Sequence, residues 1–398
     1  MEFIVELYEF DKPGLAVLAG FCATLLGVRF FAKLAPQLGL LDHPGGRKLH
    51  ATPTPLIGGL AMGGPLCLWM MLSEPSMLMG SLLSGFVGML AVGLVDDRLQ
   101  IRALVKLALT VGVLLLSLFG FDLHLQQLGE LLPDRALQVA PWLTWPLTLF
   151  AAAALINAFN MIDGLDGLAG SVMATVLFWL AVVLATTDLP SALKMVPLVA
   201  LAGLAGFLAF NLRLGRRRAR VFMGDAGALA LGFLIVWLTI AGTQQAGPAA
   251  PPPMVMVWIV ALPMLDMVAT MALRLRRRRS PMAAGRDHLH HLLCLRGMGV
   301  TRVVVVEAMA SLALGAVGVL LWRVALPDWV SLLGFIGVTV TFMGLTLAAW
   351  SRLEQQVPPA HVHRPDPHRP ARMARAFDAL ESIERRLDEH RPHGRALP

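Results

Sequence analysis

Long apolar runs, separated by short polar loops, dominate the chain. Most of them have about the 20 residues that a helix needs to cross the hydrocarbon core of a bilayer. The pattern predicts an all-α, polytopic integral membrane protein with eleven transmembrane helices. The runs are centred near residues 17–31, 56–72, 77–95, 103–121, 142–158, 167–186, 194–210, 227–242, 254–273, 303–322 and 329–350.

Basic residues are concentrated in alternate loops. One side carries Lys33, Arg47, Lys48, Arg98, Arg102 and the Arg-rich segments 213–220 and 274–302. The opposite side carries Lys12, Arg135, Lys194 and Arg323. Because positively charged loops remain in the cytoplasm, we expect the N-terminus outside and the C-terminus in the cytoplasm. An odd number of spans agrees with this orientation.

The composition also favours a membrane protein. Hydrophobic residues make up 57% of the 398 positions and charged residues 15%, whereas soluble proteins have roughly half and a quarter. The acidic N-terminal segment and its long apolar continuation are typical of a first spanning helix rather than a cleaved signal peptide. Cys22, Cys67 and Cys294 are far apart, which argues against a disulfide framework, a zinc site and redox chemistry.

The C-terminal segment 351–398 differs from the transmembrane domain, residues 1–350. It is rich in Pro, His and Arg, and residues 372–390 have the spacing of an amphipathic helix. We interpret the segment as a solvated cytoplasmic tail. A tail that rests on anionic lipid or pairs with a second tail is the alternative.

Six aspartates and three histidines, within the apolar runs or near their ends, share the predicted cytoplasmic face. They are Asp96, Asp97, Asp163, Asp166, Asp225, Asp266, His288, His290 and His291. Each one alone is compatible with an interfacial cap, but their convergence on one face indicates a functional site.

Two adjacent carboxylates, Asp96 and Asp97, end the apolar run GFVGMLAVGLVDD. Such a pair repels itself near a low dielectric, so a cation or a shared proton would explain it. The pair is a candidate magnesium site or general base. A solvated interfacial pair is the alternative.

A second motif, NAFNMIDGLDG, places Asn157, Asn160 and Asp163 on one helical face, ahead of Asp166. Its glycines allow a ligand to approach the backbone closely. We expect amides and carboxylates to cluster here, and an ordinary turn is the alternative.

A third motif, FMGDAG, begins with Phe222 and opens a new apolar run at Asp225. Asp225 is a candidate helix N-cap, a candidate metal ligand, or both. Helix-end amides and Arg220 beside it would suit a phosphate. Asp266, in PMLD, lies within an apolar run, where a structural hydrogen bond and a catalytic role are both open.

A basic segment, 276–279, precedes Arg286 and the sequence His288-Leu-His290-His291. Permanent positive charge together with imidazoles suits a pyrophosphate. Zinc is disfavoured because no cysteine accompanies the histidines. The arginine run alone is also explained as a topology signal.

Six ordered motifs between residues 41 and 299 carry a family resemblance: DHPGGRKLHATPTPLIGG, GLVDDR, NAFNMIDGLDGLAG, RVFMGDAGALALG, PMLDM and SPMAAGRDHLHHLL. With them the chain resembles the polyprenyl-phosphate N-acetylhexosamine-1-phosphate transferases. The resemblance implies transfer of a hexosamine-1-phosphate from a UDP-sugar to a polyprenyl phosphate, with release of UMP. The HLHH sequence is similar to the branch that transfers N-acetylglucosamine, although Ala228 stands where many members have Ser.

The resemblance also implies roles for single residues. The expected catalytic residues are Asp96, Asp97, Asp163, Asp166, His288, His290 and His291. The expected substrate-binding residues are Lys48, His50, Asn157, Asn160, Phe222 and Arg286, with Lys48 and His50 as alternative positions for one basic residue of the family. The expected metal ligands are Asp225 and Asp97.

The same resemblance implies Mg²⁺ as cofactor, with Mn²⁺ as a substitute. The expected partners are a UDP-N-acetylhexosamine, polyprenyl phosphate, membrane lipid and a second copy of the chain, without nucleic acid. We expect a multi-pass protein of the bacterial inner membrane, with its active site at the cytoplasmic face.

Several alternatives remain open from the sequence. The lipid phosphate attacks the β-phosphorus directly, with Asp96 as proton acceptor, or an aspartyl group forms a covalent intermediate. A proton-coupled transporter is a rival because carboxylates and histidines also build proton relays. Its carboxylates should lie at mid-membrane, whereas these lie at one face. A noncatalytic scaffold is a further rival.

Overall fold

The computed structural model describes residues 12–42, 53–133, 135–213, 215–216, 218–281 and 285–356. The helices are α1 (Lys12–Leu38), α2 (Gly58–Leu72), α3 (Met77–Leu99), α4 (Ala103–Leu114), α5 (Pro141–Met161), α6 (Leu168–Leu184), α7 (Ser191–Asn211), α8 (Gly224–Gln244), α9 (Pro253–Ile259), α10 (Ala261–Arg276), α11 (Leu289–Leu295), α12 (Val300–Arg323) and α13 (Asp328–Gln356). A π-helical turn, Leu115–Phe119, continues α4, and Gly247–Ala249 form a 3-10 turn. Two short strands, β1 (Leu41–Asp42) and β2 (Thr54–Pro55), pair antiparallel.

Each apolar run coincides with a helix, or with the bent pair α9 and α10. Within the described ranges, seven helices are long and apolar enough to cross a membrane, or eight if the bent pair is one span. Helices α2, α4 with its π-helical turn, and α6 are apolar but shorter. The all-α, polytopic membrane fold is therefore confirmed, while eleven spans and their orientation remain predictions.

The ninth run bends by 71° between α9 and α10. Pro263 lies in the first turn of α10 and has no N–H to donate to the carbonyl of Ile259. A proline in this position begins a new helix more readily than it continues the preceding one. Because of the bend, α10, which carries Asp266, runs in a different direction from α9.

Helix α8 is the centre of the bundle, and α2, α3, α5 and α6 pack around it. It is apolar on all sides and almost wholly buried, as expected for a core helix. A Cβ on Gly93 of α3 would lie 2.3 Å from Cα of Ala226, and one on Gly59 of α2 would lie 2.5 Å from N of Gly227. Larger residues at these glycines would displace the first turn of α8.

Polar side chains inside the bundle are paired where α8 meets α3. Trp237 Nε1 donates to Ser81 Oγ at 2.9 Å, and Ser81 Oγ donates to the carbonyl of Ser117 at 2.6 Å. Inside a membrane such groups must be satisfied by protein partners. These bonds therefore fix the position of α8 along α3.

The predicted division at residue 350 falls within a continuous helix, because α13 extends through Gln356. The rest of the predicted tail, residues 357–398, lies outside the described residues.

Candidate active site

Carboxylates from two helices meet at an amine from a third. Lys106 Nζ of α4 lies 2.7 Å from Oδ2 of Asp96 in α3 and 3.1 Å from Oδ1 of Asp225 in α8. Asn160 of α5 donates its Nδ2 to the same Asp225 oxygen. Oδ1 of Asp96 accepts from the backbone N–H of Ile101 at 2.9 Å, which orients the carboxylate. Four helices therefore converge on one polar centre.

Asp97 caps the N-terminus of α8. Its Oδ1 accepts from N of Asp225 at 2.7 Å, and its Oδ2 accepts from N of Ala226 at 3.0 Å. A carboxylate is favourable here because the first amides of a helix are unpaired and partially positive. The alternative that Asp225 caps α8 is wrong, since Asp225 lies within the first turn and its carboxylate faces Lys106. We call Asp96, Asp97, Lys106, Asn160 and Asp225 the acidic cluster.

Gly224 makes the close approach of Asp97 to α8 geometrically feasible. Its φ is +72°, a conformation that residues with a Cβ rarely adopt. A Cβ at this position would lie 2.5 Å from Oδ2 of Asp97. The glycine before Asp225 is therefore required by the cap.

The loop between α5 and α6 carries Asp163 and Asp166. The Asp163 side chain is exposed. Asp166 Oδ2 accepts from Nε of Arg213 at 2.8 Å and from N of Ala219 at 2.9 Å. Asn211 Oδ1 accepts a further hydrogen bond from N of Gly167 at 2.9 Å. Asp166 thus joins the loop after α7 to the α5–α6 loop, whereas it is Asp163 whose side chain is exposed.

The three histidines come together around the short helix α11. His288 Nδ1 lies 2.7 Å from Oδ2 of Asp266, and N of Leu289 donates to Oδ1 of the same carboxylate at 2.7 Å. The His288 and His290 rings stack at 5.4 Å, and the His290 and His291 rings lie 4.2 Å apart. Asp266 therefore makes structural hydrogen bonds that orient His288. We call Asp266, His288, His290 and His291 the histidine cluster.

His290 connects the histidine cluster to the α5–α6 loop. Its imidazole is fully buried, and a Cβ on Gly164 would lie 2.3 Å from its Nε2. Glycine at position 164 lets the ring reach the loop that follows Asn160. Among the described residues, neither ring nitrogen of His290 has a hydrogen-bond partner.

Burial keeps two of the histidines uncharged. It lowers the pKa of His290 well below its usual value, and the neighbouring His291 and His288 lower it further. Burial, followed by the charges of His288 and Arg286, lowers the pKa of His291 to about 3. At neutral pH these two imidazoles therefore offer hydrogen bonds and no positive charge.

Asn157 lies half-buried on α5, with its Nδ2 3.0 Å from Sδ of Met161. Together with Lys106 and Thr110 it lines a cavity of about 50 Å³ beside the acidic cluster. The predicted amide is therefore close to the acidic cluster without bonding to it.

Phe222 contributes through its backbone, whose N–H donates to the carbonyl of Pro55 at 2.8 Å. This contact joins β2 to the segment before α8. Arg286 is half-buried just before the histidines. Lys48 and His50 lie outside the described residues, so their predicted substrate contacts remain predictions.

The basic groups are arranged differently from the sequence-based expectation. The cation beside Asp225 is Lys106, whereas the expected Arg220 is exposed. Arg277, within the run expected to face a pyrophosphate, pairs with Asp287. The signal for Lys106 was a single lysine in the apolar run ALVKLALTVG, because an ionisable residue in a spanning segment is itself a functional indicator.

The acidic cluster has oxygen ligands of the kind that bind a hard cation, and substrate phosphates would complete the coordination of that cation. Carboxylates and the Asn160 amide are suitable oxygen ligands. In the part of the chain that is described, no three His, Cys, Asp or Glu side chains converge closely enough to hold a metal by themselves. Mg²⁺ commonly uses one or two carboxylates, water and substrate phosphates, so Asp225 with Asp97 or Asp96 could hold such an ion together with substrate.

Comparison with known proteins agrees with this geometry. The profile of glycosyl transferase family 4 matches residues 79–243, which include the acidic cluster. The undecaprenyl-phosphate alpha-N-acetylglucosaminyl 1-phosphate transferase of Escherichia coli (strain K12) is 34% identical over 320 residues, covering 79% of this chain and 86% of that protein. The Pasteurella multocida (strain Pm70) protein with the same description is 30% identical over 346 residues, covering 84% and 94%. This chain is therefore a member of glycosyl transferase family 4, in the group of the bacterial undecaprenyl-phosphate N-acetylglucosaminyl 1-phosphate transferases.

Proposed function

We propose that this protein transfers N-acetylglucosamine-1-phosphate from UDP-N-acetylglucosamine to undecaprenyl phosphate and releases UMP. The observation that carries the proposal is the acidic cluster, in which Lys106 lies between Asp96 and Asp225. The relatives are described as transferases with this acceptor and this sugar phosphate. The transporter and scaffold alternatives gain no support from these relatives.

The charges of the acidic cluster suit a reaction between two phosphates. Phosphoryl transfer needs alignment and stabilisation of negative charge more than covalent help from the protein. Lys106 supplies a fixed ammonium, and the neutral imidazoles of His290 and His291 each have one N–H that can donate to a phosphate oxygen. Arg286 adds permanent charge beside them.

A direct displacement is the simplest route. An oxygen of the lipid phosphate attacks the β-phosphorus of the nucleotide sugar, and the bond from that phosphorus to the bridging oxygen breaks, leaving its electron pair on UMP. The attacking phosphate is already anionic, so little proton removal is required. Asp163 is exposed in the loop, three residues after Asn160, whereas Asp96 is buried against Lys106. We therefore favour Asp163 over the expected Asp96 as acceptor of any remaining proton.

We infer that Mg²⁺ is the cofactor, with Mn²⁺ as a substitute. Asp225, together with Asp97 or Asp96, would hold it, and when bound it supplies Lewis-acid stabilisation of phosphate oxygens. Asn160 orients Asp225 through its amide. Lys106 keeps the neighbouring carboxylates together, so the ligands are prepared before substrate arrives.

We further infer eleven spans with the N-terminus outside, the C-terminus inside, and both clusters at the cytoplasmic face of the bacterial inner membrane. The alternation of basic loops supports this orientation. Nucleotide sugars are cytoplasmic substrates, which requires the same face. The product would begin the synthesis of a lipid-linked cell-envelope glycan, and a homodimer remains a prediction.

The test is transfer by the purified protein in detergent with Mg²⁺ and undecaprenyl phosphate. UDP-sugars radiolabelled in N-acetylglucosamine, N-acetylgalactosamine or glucose are supplied separately. The proposal expects label in the lipid fraction chiefly from UDP-N-acetylglucosamine. The Asp225→Asn variant, which preserves side-chain volume, is the matched control. Absence of lipid-linked label from every donor would contradict the proposal.

A further inference from the structure

The C-terminal turns of α13 pack directly on the helix that carries the histidines. A small apolar cluster, separate from the main core, contains Leu273 of α10, Leu292 of α11, and Ala349 and Trp350 of α13. Leu353 of α13 packs against this cluster. The helices α10, α11 and α13 thus meet next to the histidine cluster. All three lie outside residues 79–243, which the family profile matches.

Arg277 is the polar centre of this junction. Its guanidinium lies 5.2 Å from the Trp350 ring centroid, in cation–π geometry. Its Nε donates to Oε1 of Glu354 at 2.8 Å, and its Nη1 donates to Oδ1 of Asp287 at 2.5 Å. One side chain therefore connects the end of α13 to the residue that precedes His288.

Asp287 links Arg277 to the histidine cluster. Its carboxylate is almost fully buried and also lies 3.3 Å from Nε of Arg274. Asp287 immediately precedes His288, the N-cap position of α11. A carboxylate fixed by two arginines leaves the start of α11 little freedom to rotate or shift.

We propose that the end of α13, through Glu354 and Trp350, is a positioning element for the histidine cluster. Arg277 carries the effect to Asp287, and Asp287 sets where α11 begins. None of the α13 side chains touches the reacting groups in this scheme. The inference rests on the proposed function, since it assigns these residues to the alignment of that same site.

The pair of Arg277 and Glu354 acts through geometry more than through stability. Glu354 is 38% exposed at its side chain, and ion pairs of this exposure contribute little net free energy. Alignment is more sensitive, because a displacement of about 1 Å at a reacting group can cost on the order of 100-fold in rate. We therefore expect variants that break this pair to lose turnover by a larger factor than they lose folded protein.

Glu354→Gln tests the charge at constant size. We expect turnover to fall on the order of 10-fold or more, while the affinity for UDP-N-acetylglucosamine, measured by direct binding, changes only a few-fold. Glu354→Asp keeps the charge and should recover part of the turnover. Arg352→Gln is the matched control, because Arg352 lies two residues before Glu354 on α13 and is exposed. It should behave as the unmodified protein.

Trp350→Leu and two truncations provide a second test. Ending the chain after Gln356 retains Trp350 and Glu354, whereas ending it after Ala349 removes both. Hydrogen exchange of residues 285–295 should accelerate in Trp350→Leu, in Glu354→Gln and in the chain that ends after Ala349. It should stay unchanged in the chain that ends after Gln356.

The outcomes separate this inference from the proposed function. An unmodified protein that transfers no sugar phosphate would contradict the proposed function itself. An active unmodified protein with unchanged turnover and exchange in both Glu354→Gln and Trp350→Leu would overturn the positioning role. Equal losses of turnover and of folded protein in all α13 variants would also overturn it, because that pattern indicates a purely structural contact.

Discussion

Lys106 Nζ of α4 lies 3.1 Å from Oδ1 of Asp225 in α8, although the two residues are 119 positions apart in the sequence. The same ammonium lies 2.7 Å from Oδ2 of Asp96. With Asp97, the cluster has three carboxylates and one ammonium, which leaves an excess of negative charge when all are ionised. A divalent cation and the phosphates that accompany it would balance such a site, so this contact is central to the account.

Asp225→Asn should abolish transfer while the protein stays folded. Asparagine retains the volume and one oxygen for Lys106 and Asn160, but it lacks the negative charge that a hard cation requires. We expect turnover to fall by at least about 100-fold. The measurement is turnover over a series of Mg²⁺ concentrations, with thermal unfolding in detergent as the folding control. Near-normal turnover with an unchanged Mg²⁺ dependence would refute the metal role of Asp225.

Lys106→Met should also lower turnover, on the order of 100-fold. Methionine has a similar length but cannot hold Asp96 and Asp225 together, and the two carboxylates then repel each other. Lys33→Met is the matched control, because Lys33 is exposed on α1. If the two variants have equal turnover, Lys106 is dispensable and the arrangement of the acidic cluster has been misinterpreted.

The neutral histidines predict a pH dependence of stability. Because the folded-state pKa of His291 is about 3 and the unfolded value is about 6.5, the unfolded chain binds the additional proton between these values. Stability should therefore fall as pH drops below about 6.5, by up to roughly 1.4 kcal/mol per pH unit for each such histidine. His291→Gln should reduce the slope. Thermal unfolding of both proteins at a series of pH values measures it, and identical slopes would contradict the buried, neutral state.

The orientation can be tested with single cysteines in a variant whose three native cysteines are replaced. Glu130→Cys, in the loop before α5, should react with an impermeant thiol reagent applied to intact cells. Arg276→Cys, at the end of α10, should react only after the membrane is opened. Both positions are exposed, so access alone decides the result. The reverse pattern would place the clusters on the outer face.

The sequence predicts the helices well because their apolar runs are local signals. Each run coincides with a helix or, for the ninth run, with the bent pair α9 and α10. The apolar pattern does not predict the bend between α9 and α10, although Pro263 is visible in the sequence as its cause. Local pattern cannot show how far a single proline interrupts a long run.

The sequence predicts which residues form the site better than it predicts the contacts between them. The motifs indicated Asp97 and Asp225, but they could not show that Asp97 caps the helix on which Asp225 lies. Lys106 belongs to none of the motifs, so the motifs do not predict its contact with Asp96 and Asp225. Arg277 and Glu354 were beyond local inference, since their contact depends on how α10 and α13 pack.

The most direct measurement follows the β-phosphate of the donor. UDP-N-acetylglucosamine labelled with ³²P at the β-position is given to the purified protein with Mg²⁺ and undecaprenyl phosphate, and the lipid and aqueous products are separated. We expect the label to enter the lipid fraction in an amount equal to the UMP released. Label that remains in the aqueous phase as UDP while the sugar reaches the lipid would show transfer of the sugar alone. That result would contradict the central claim.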